Sequence, residues 1–111
     1  MKKEESRLID GLISCIAACA PDSVAVVTDS NVAEIARGLI SSIGERVAAQ
    51  GIRMVPVIVT PAGEENKNLA SLEKILWQMT EAGMTRRSLL VCVGGGMTTD
   101  MGGFAAAVFK R

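Results

Sequence analysis

Leu89 to Val93 is an unbroken apolar run that ends in three consecutive glycines, Gly94, Gly95 and Gly96, before a stretch of small residues from Met97 to Ala107. A short apolar run without polar alternation is the pattern of a strand covered on both faces, which is the state of strands in parallel sheets packed between helices. The glycines then allow a turn in which backbone N–H groups approach an anion closely, and a helix starting there points the positive end of its dipole at the same place. One segment therefore commits the chain to an α/β fold and predicts a phosphate-holding turn.

The rest of the chain fits around that unit. Leu8, Ile9, Leu12, Ile13, Ile16 and Ala17 recur at helical spacing and predict an amphipathic helix over residues 4–19, ended by Pro21. Ser23 to Thr28 reads as a β-branched strand covered on both faces. A second helix runs from Val32 through Ile35, Leu39, Ile40, Ile43 and Val47, with Ser30 or Asn31 as its N-cap and Gly51 as its stop. Residues 53–60 predict the next strand, which Pro56 confines to an edge because proline donates no ladder hydrogen bond. A polar loop, Pro61 to Lys67, leads to a third helix carrying Leu69, Leu72, Ile75, Leu76 and Met79, with Trp77 at its margin and Gly83 at its end. Residues 87–93 make the third strand, and strands alternating with helices pair in parallel through right-handed crossovers in the order second, first, third. The expected fold is half of a Rossmann-like, doubly wound sheet with flanking helices.

With 111 residues, 12 positive and 12 negative side chains and few aromatics, the composition speaks against a nucleic-acid surface and against disorder. No apolar stretch approaches the roughly 20 residues of a membrane helix, and the lysine-rich start opens an amphipathic segment, so the chain reads as cytoplasmic. Cys15, Cys19 and Cys92 are odd in number and read as reduced, core-packing thiols; without a histidine anywhere, a metal at Cys15 and Cys19 is disfavoured. Met54, Met79, Met84 and Met101 read as gap-fillers. The abrupt end at Lys110 and Arg111, one helix past the glycines, suggests a natural polypeptide that continues.

In an open parallel sheet, ligands gather beyond the carboxyl ends of the strands. Three loops fall there: Asp29, Ser30 and Asn31; Glu64 to Lys67; and Gly94 to Asp100. Asp29 to Asn31 serve equally as a helix cap, and Glu64 with Lys67 as a solvated ion pair. Three successive glycines are harder to explain without a ligand, since each raises the entropic cost of folding. Asp100, four residues past an anion nest, would repel phosphate and so suits a ribose or nicotinamide partner. Gly102, Gly103 and Ala105 to Ala107 suit close helix packing. The pattern is neither G-x-G-x-x-G nor a Walker loop, so a generic motif does not fix the cofactor.

Taken together, Thr28-Asp29-Ser30-Asn31-Val32, Gly63-Glu64-Glu65-Asn66-Lys67 and the run from Gly94 through Gly102-Gly103-Phe104-Ala105-Ala106 to Arg111 resemble the amino-terminal domain of the 3-dehydroquinate synthases. The Gly-Phe-Ala-Ala tail with its distal arginine separates that family from glycerol-type and iron-dependent alcohol dehydrogenases. The resemblance covers nearly the whole chain and implies an N-terminal dinucleotide-binding domain, residues 1–111, without the α-helical C-terminal domain of the family.

It also implies an NAD-dependent lyase of the shikimate pathway that turns 3-deoxy-D-arabino-heptulosonate 7-phosphate into 3-dehydroquinate and phosphate, with a divalent metal, usually zinc. Carried over, Asp29 and Asn31 face the adenosine side of NAD, Glu64 and Lys67 its ribose or nearby polar groups, and Gly95, Gly96 and the Met97 amide its pyrophosphate, with Ser30 and Gly94 counted among the cofactor-binding residues. Asp100 meets the nicotinamide half, and Arg111 the phosphate of a sugar-acid substrate. Thr99 stands where the family commonly has glycine. The family's metal ligands, one glutamate and two histidines, lie in later segments, so the 111 residues are expected to be inactive alone and to hold no metal. Neither nucleic acid nor membrane is an expected partner, and a homodimer stays open for the full-length form. Two rivals remain: a polyol or glycerol-type dehydrogenase, and a non-catalytic binding domain.

Overall fold

The computed structural model describes residues 3–109. Helix α1 (Lys3–Cys19) is followed by strand β1 (Ser23–Asp29), helices α2 (Ser30–Ile35) and α3 (Arg37–Ala49), and the short strands β2 (Arg53–Met54) and β3 (Ile58–Thr60). A single 3-10 turn (Glu64–Asn66), helix α4 (Leu69–Glu81), strand β4 (Leu89–Val93) and helix α5 (Gly96–Val108) complete it.

Every residue of β1 is buried, which is what its unalternating sequence predicts. Its side chains alternate between two cores. Val24 and Val26 join Ile9, Ile13 and Ile16 of α1 and Ile40, Ile43 and Val47 of α3 on one face. Ala25 and Val27 join Ile75 and Met79 of α4, Met101 and Ala105 of α5, Ile58, Met84 and Phe109 on the other. The period-2 strand and the period-3.6 helices thus meet in three layers with β1 at the centre.

All strand pairs are parallel. Residues 24–28 of β1 pair with residues 89–93 of β4 along one edge. Residues 23–24 pair with 53–54, and 27–29 with 58–60, which places β2 and β3 end to end along the opposite edge. The predicted strand over 53–60 is therefore one edge strand interrupted around Pro56, and the order second, first, third holds.

Three local expectations are corrected. The second helix is interrupted at Ala36 (φ −103°, ψ 23°), so that Ile40, Ile43 and Val47 face the core while Ile35 stays 85% exposed. Its N-cap is Asp29, not Ser30 or Asn31, because the Asp29 carboxylate is the group that reaches the first-turn amides. Cys15 and Cys19 are exposed, since α1 buries the narrower stripe Ile9, Ile13 and Ile16 and leaves both thiols outside it. Met79, Met84 and Met101 are buried as expected, and Met54 is half-buried.

At the amino ends of the strands, Asp22 ties the α4–β4 connection to the start of β1. Its carboxylate accepts hydrogen bonds from Ser88 Oγ (2.6 Å), from Thr85 Oγ1 and, at 3.4 Å, from Ser23 Oγ. The hydroxyls of Ser88, then Thr85 and Ser23, hold the Asp22 carboxyl below the ordinary carboxylate range. A carboxyl whose folded-state value is depressed stabilises the fold above its unfolded value, and that contribution is lost as pH falls through the folded one. Asp22→Asn is therefore expected to lower the thermal midpoint near pH 7, with the gap to the parent closing below about pH 4 in a series of melts.

Candidate functional site: a glycine turn at the carboxyl edge of the sheet

The carboxyl ends of β1, β3 and β4 bring the three loops singled out in the sequence to one edge, and side chains tie the loops together. Asp29 ends β1 and is only 8% exposed. Its Oδ1 accepts from the backbone N–H groups of Asn31 and Val32, each at 2.9 Å, and its Oδ2 accepts from Thr98 Oγ1 at 3.0 Å. Ser30 Oγ accepts from the Ala62 amide at 3.0 Å, joining the first loop to the second. Lys67 Nζ lies 3.0 Å from Asp100 Oδ2, joining the second loop to α5.

The glycine turn is built from three different roles. Gly94 has φ +157°, and a Cβ there would sit 2.9 Å from Thr98 Cβ and Oγ1 and 3.2 Å from Asp29 Oδ2, so only glycine fits. Gly95 is the N-cap of α5 with ordinary backbone angles, and no side chain caps the helix. The amides of Gly96 and Met97 begin that helix and have no acceptor within it. A Cβ at Gly95 or Gly96 would meet nothing within 4 Å. The space in front of the turn is open, and the turn offers donors with no acceptor of its own, which is the arrangement an anion requires.

Around this turn, Asn31 and Glu64 are exposed, and Met97 is half-buried against the core. The hydrogen bond to Asp100, its charge, and then Glu64 push the Lys67 ammonium above its usual value, so it stays protonated. Thr99 bends back on its own helix, its Oγ1 donating to the Gly96 carbonyl at 3.0 Å. Lys67 and Asp100 also line an open, mainly apolar groove of about 470 Å³ with Leu69, Leu72, Met101 and Phe104. Gly102 lies against β4, where an added Cβ would come 2.4 Å from Cys92 Sγ; the half-buried Cys92 thiol is pushed up by burial. Arg111, the expected substrate-phosphate ligand, lies outside the described residues. Sequence reasoning missed Thr98, whose only cue was its place in the first turn of α5, and the groove, because Leu69 was read as part of a buried helical stripe whereas it and Phe104 are exposed.

Residues 57–111 match the model of the family described as 3-dehydroquinate synthase N-terminal. Over that stretch the chain belongs to the 3-dehydroquinate synthase family. Curated relatives named 3-dehydroquinate synthase agree: one from Parabacteroides distasonis is 40% identical over 90 residues, 81% of this chain and 24% of that protein. One from Pelobacter propionicus is 40% identical over 91 residues, 79% of this chain and 23% of the relative. The chain thus spans about a quarter of the length of these family members. Among solved structures, a 2-deoxy-scyllo-inosose synthase complexed with carbaglucose-6-phosphate, NAD+ and Co2+ superimposes with a TM-score of 0.78 at 25% identity, over 93% of this chain and 27% of that one. The Rossmann-like reading holds, and the described residues form a parallel sheet with flanking helices. Among the described residues no group of three or more Cys, Asp or Glu side chains could hold a metal, and no helix is long and apolar enough to cross a membrane.

Proposed function

We propose that these 111 residues are the dinucleotide-binding part of a 3-dehydroquinate synthase acting, in the whole enzyme, on 3-deoxy-D-arabino-heptulosonate 7-phosphate. The observation that carries this reading is the uncapped start of α5 behind open glycines, at the edge where the Lys67–Asp100 pair also lies. The amides of Gly95, Gly96 and Met97 would hold the diphosphate of NAD, with Gly94 setting the turn. Asp29, Ser30 and Asn31 border the adenosine side, Glu64 and Lys67 the ribose, and Asp100 the nicotinamide half; Arg111 is assigned to the substrate phosphate. Bound there, NAD supplies reversible oxidation of a substrate hydroxyl, which acidifies the neighbouring C–H before phosphate leaves. This chain's residues contribute binding and orientation. The described residues do not fit the zinc that the family resemblance implies, so no metal step is assigned to them.

The neighbour solved with NAD+ and a divalent metal supports the cofactor class, and a cytoplasmic setting accords with the unpaired cysteines. Calorimetric titration with NAD is expected to give weak, saturable binding competed by inorganic pyrophosphate. At ten times its dissociation constant, NAD would then add about 1.4 kcal/mol of stability, visible as a rise in the thermal midpoint. A midpoint indifferent to millimolar NAD would refute the assignment. Phosphate release by the 111 residues alone would refute their expected inactivity, and net NADH formation would favour a dehydrogenase.

A further inference from the structure

Beneath the glycine turn lie Asp29, assigned to the adenosine side, and Thr98, which has no place in the binding scheme as it stands. The Asp29 carboxylate is buried with both oxygens engaged, one by the Asn31 and Val32 amides and one by Thr98 Oγ1. For a ribose it has only the second lone pair of Oδ2 to offer, unless it gives up a helix cap or the threonine. Thr98 is 1% exposed and spends its hydroxyl on Asp29, 69 positions away in the chain. Gly94 is pressed onto this hydrogen bond from above: the missing Cβ would strike Thr98 and crowd Asp29 Oδ2. The end of β1, the turn after β4 and the first turn of α5 are thereby locked into one contact.

We infer that Asp29 and Thr98 form a positioning pair that holds the glycine turn from below and sets where the Gly95, Gly96 and Met97 amides point. The inference deepens the proposed dinucleotide reading and rests on it only for the identity of the ligand. Removing the hydroxyl in Thr98→Val keeps the side chain's shape but leaves Asp29 Oδ2 buried without its donor. The turn then loses the bond that fixes it to β1. Thr98→Ser keeps the bond.

The test uses the 111-residue chain with two readouts at a temperature where circular dichroism shows each variant folded. In the ligand-free protein, backbone order from 15N relaxation at Gly94, Gly95 and Gly96 is expected to fall in Thr98→Val and to return in Thr98→Ser. Affinity for inorganic pyrophosphate and for NAD is expected to drop about tenfold in Thr98→Val and to stay within about twofold in Thr98→Ser. Unchanged order at the three glycines in Thr98→Val overturns the inference whether or not a ligand binds. Where the parent binds, so does an unchanged affinity. A parent chain with an ordered turn, loosened by Thr98→Val and without affinity for either probe, supports the positioning pair and counts against the dinucleotide reading alone.

Discussion

Gly94→Ala is expected to be among the most damaging single-methyl additions in this chain, and the adjacent Gly95→Ala among the mildest for folding. At Gly94 the backbone lies at φ +157°, a region that side chains rarely adopt, and the new Cβ would lie 2.9 Å from Thr98 and 3.2 Å from Asp29 Oδ2. Strain of about 1–3 kcal/mol adds to crowding of about 1–3 kcal/mol, and chemical denaturation should read a loss of about 2–6 kcal/mol. Gly95 has φ −82° and open space around it, so alanine there should change stability by no more than about 0.5 kcal/mol. Its Cβ would nevertheless project near the approach of an anion. NAD titration is therefore expected to weaken in both variants while denaturation separates them. Equal stability losses would show that the turn is not shaped as described.

Gly102→Ala tests the contact between α5 and β4. The added Cβ would fall 2.4 Å from Cys92 Sγ, and a cysteine side chain has only its χ1 rotation with which to move aside. Overpacking of this kind costs about 1–3 kcal/mol. Cys92→Ala removes the obstructing sulfur, so the double variant should recover much of the loss, with a coupling of about 0.5–3 kcal/mol in a cycle of denaturation measurements. Strict additivity would refute the close approach. The same geometry explains a small-residue helix beside an apolar strand: the helix must lie close enough to the sheet for its first turn to reach the end of β1.

The layers of this fold were legible because the relevant signals are local. The unalternating Ser23 to Thr28 run announced a strand covered on both sides, and Pro56 placed its neighbour on an edge. What was not legible depends on choices between chemically similar residues. Asp29, Ser30 and Asn31 all have good capping side chains, and only the finished backbone decides that Asp29 is extended (φ −102°, ψ 168°) with its carboxylate over the amides. The apolar pattern of α1 was broad enough to include the thiols, whereas the buried stripe is three isoleucines wide of them. Lys67 and Asp100 were each picked out, but not as partners of one another, since no spacing rule joins positions in different loops. Thr98 was invisible for the same reason.

The two borders of the sheet differ in their readiness to accept another strand. On the β2–β3 side, Pro56 interrupts the row of amide donors and leaves only two short stretches paired to β1. On the other side, Leu89 to Val93 is continuous, apolar and half-buried, and among the described residues it pairs with β1 alone. Any additional strand, from whatever source, would extend the sheet beside β4 and not beside Pro56. The sheet is thus lopsided in growth, and its receptive border lies directly below the turn that the glycines make.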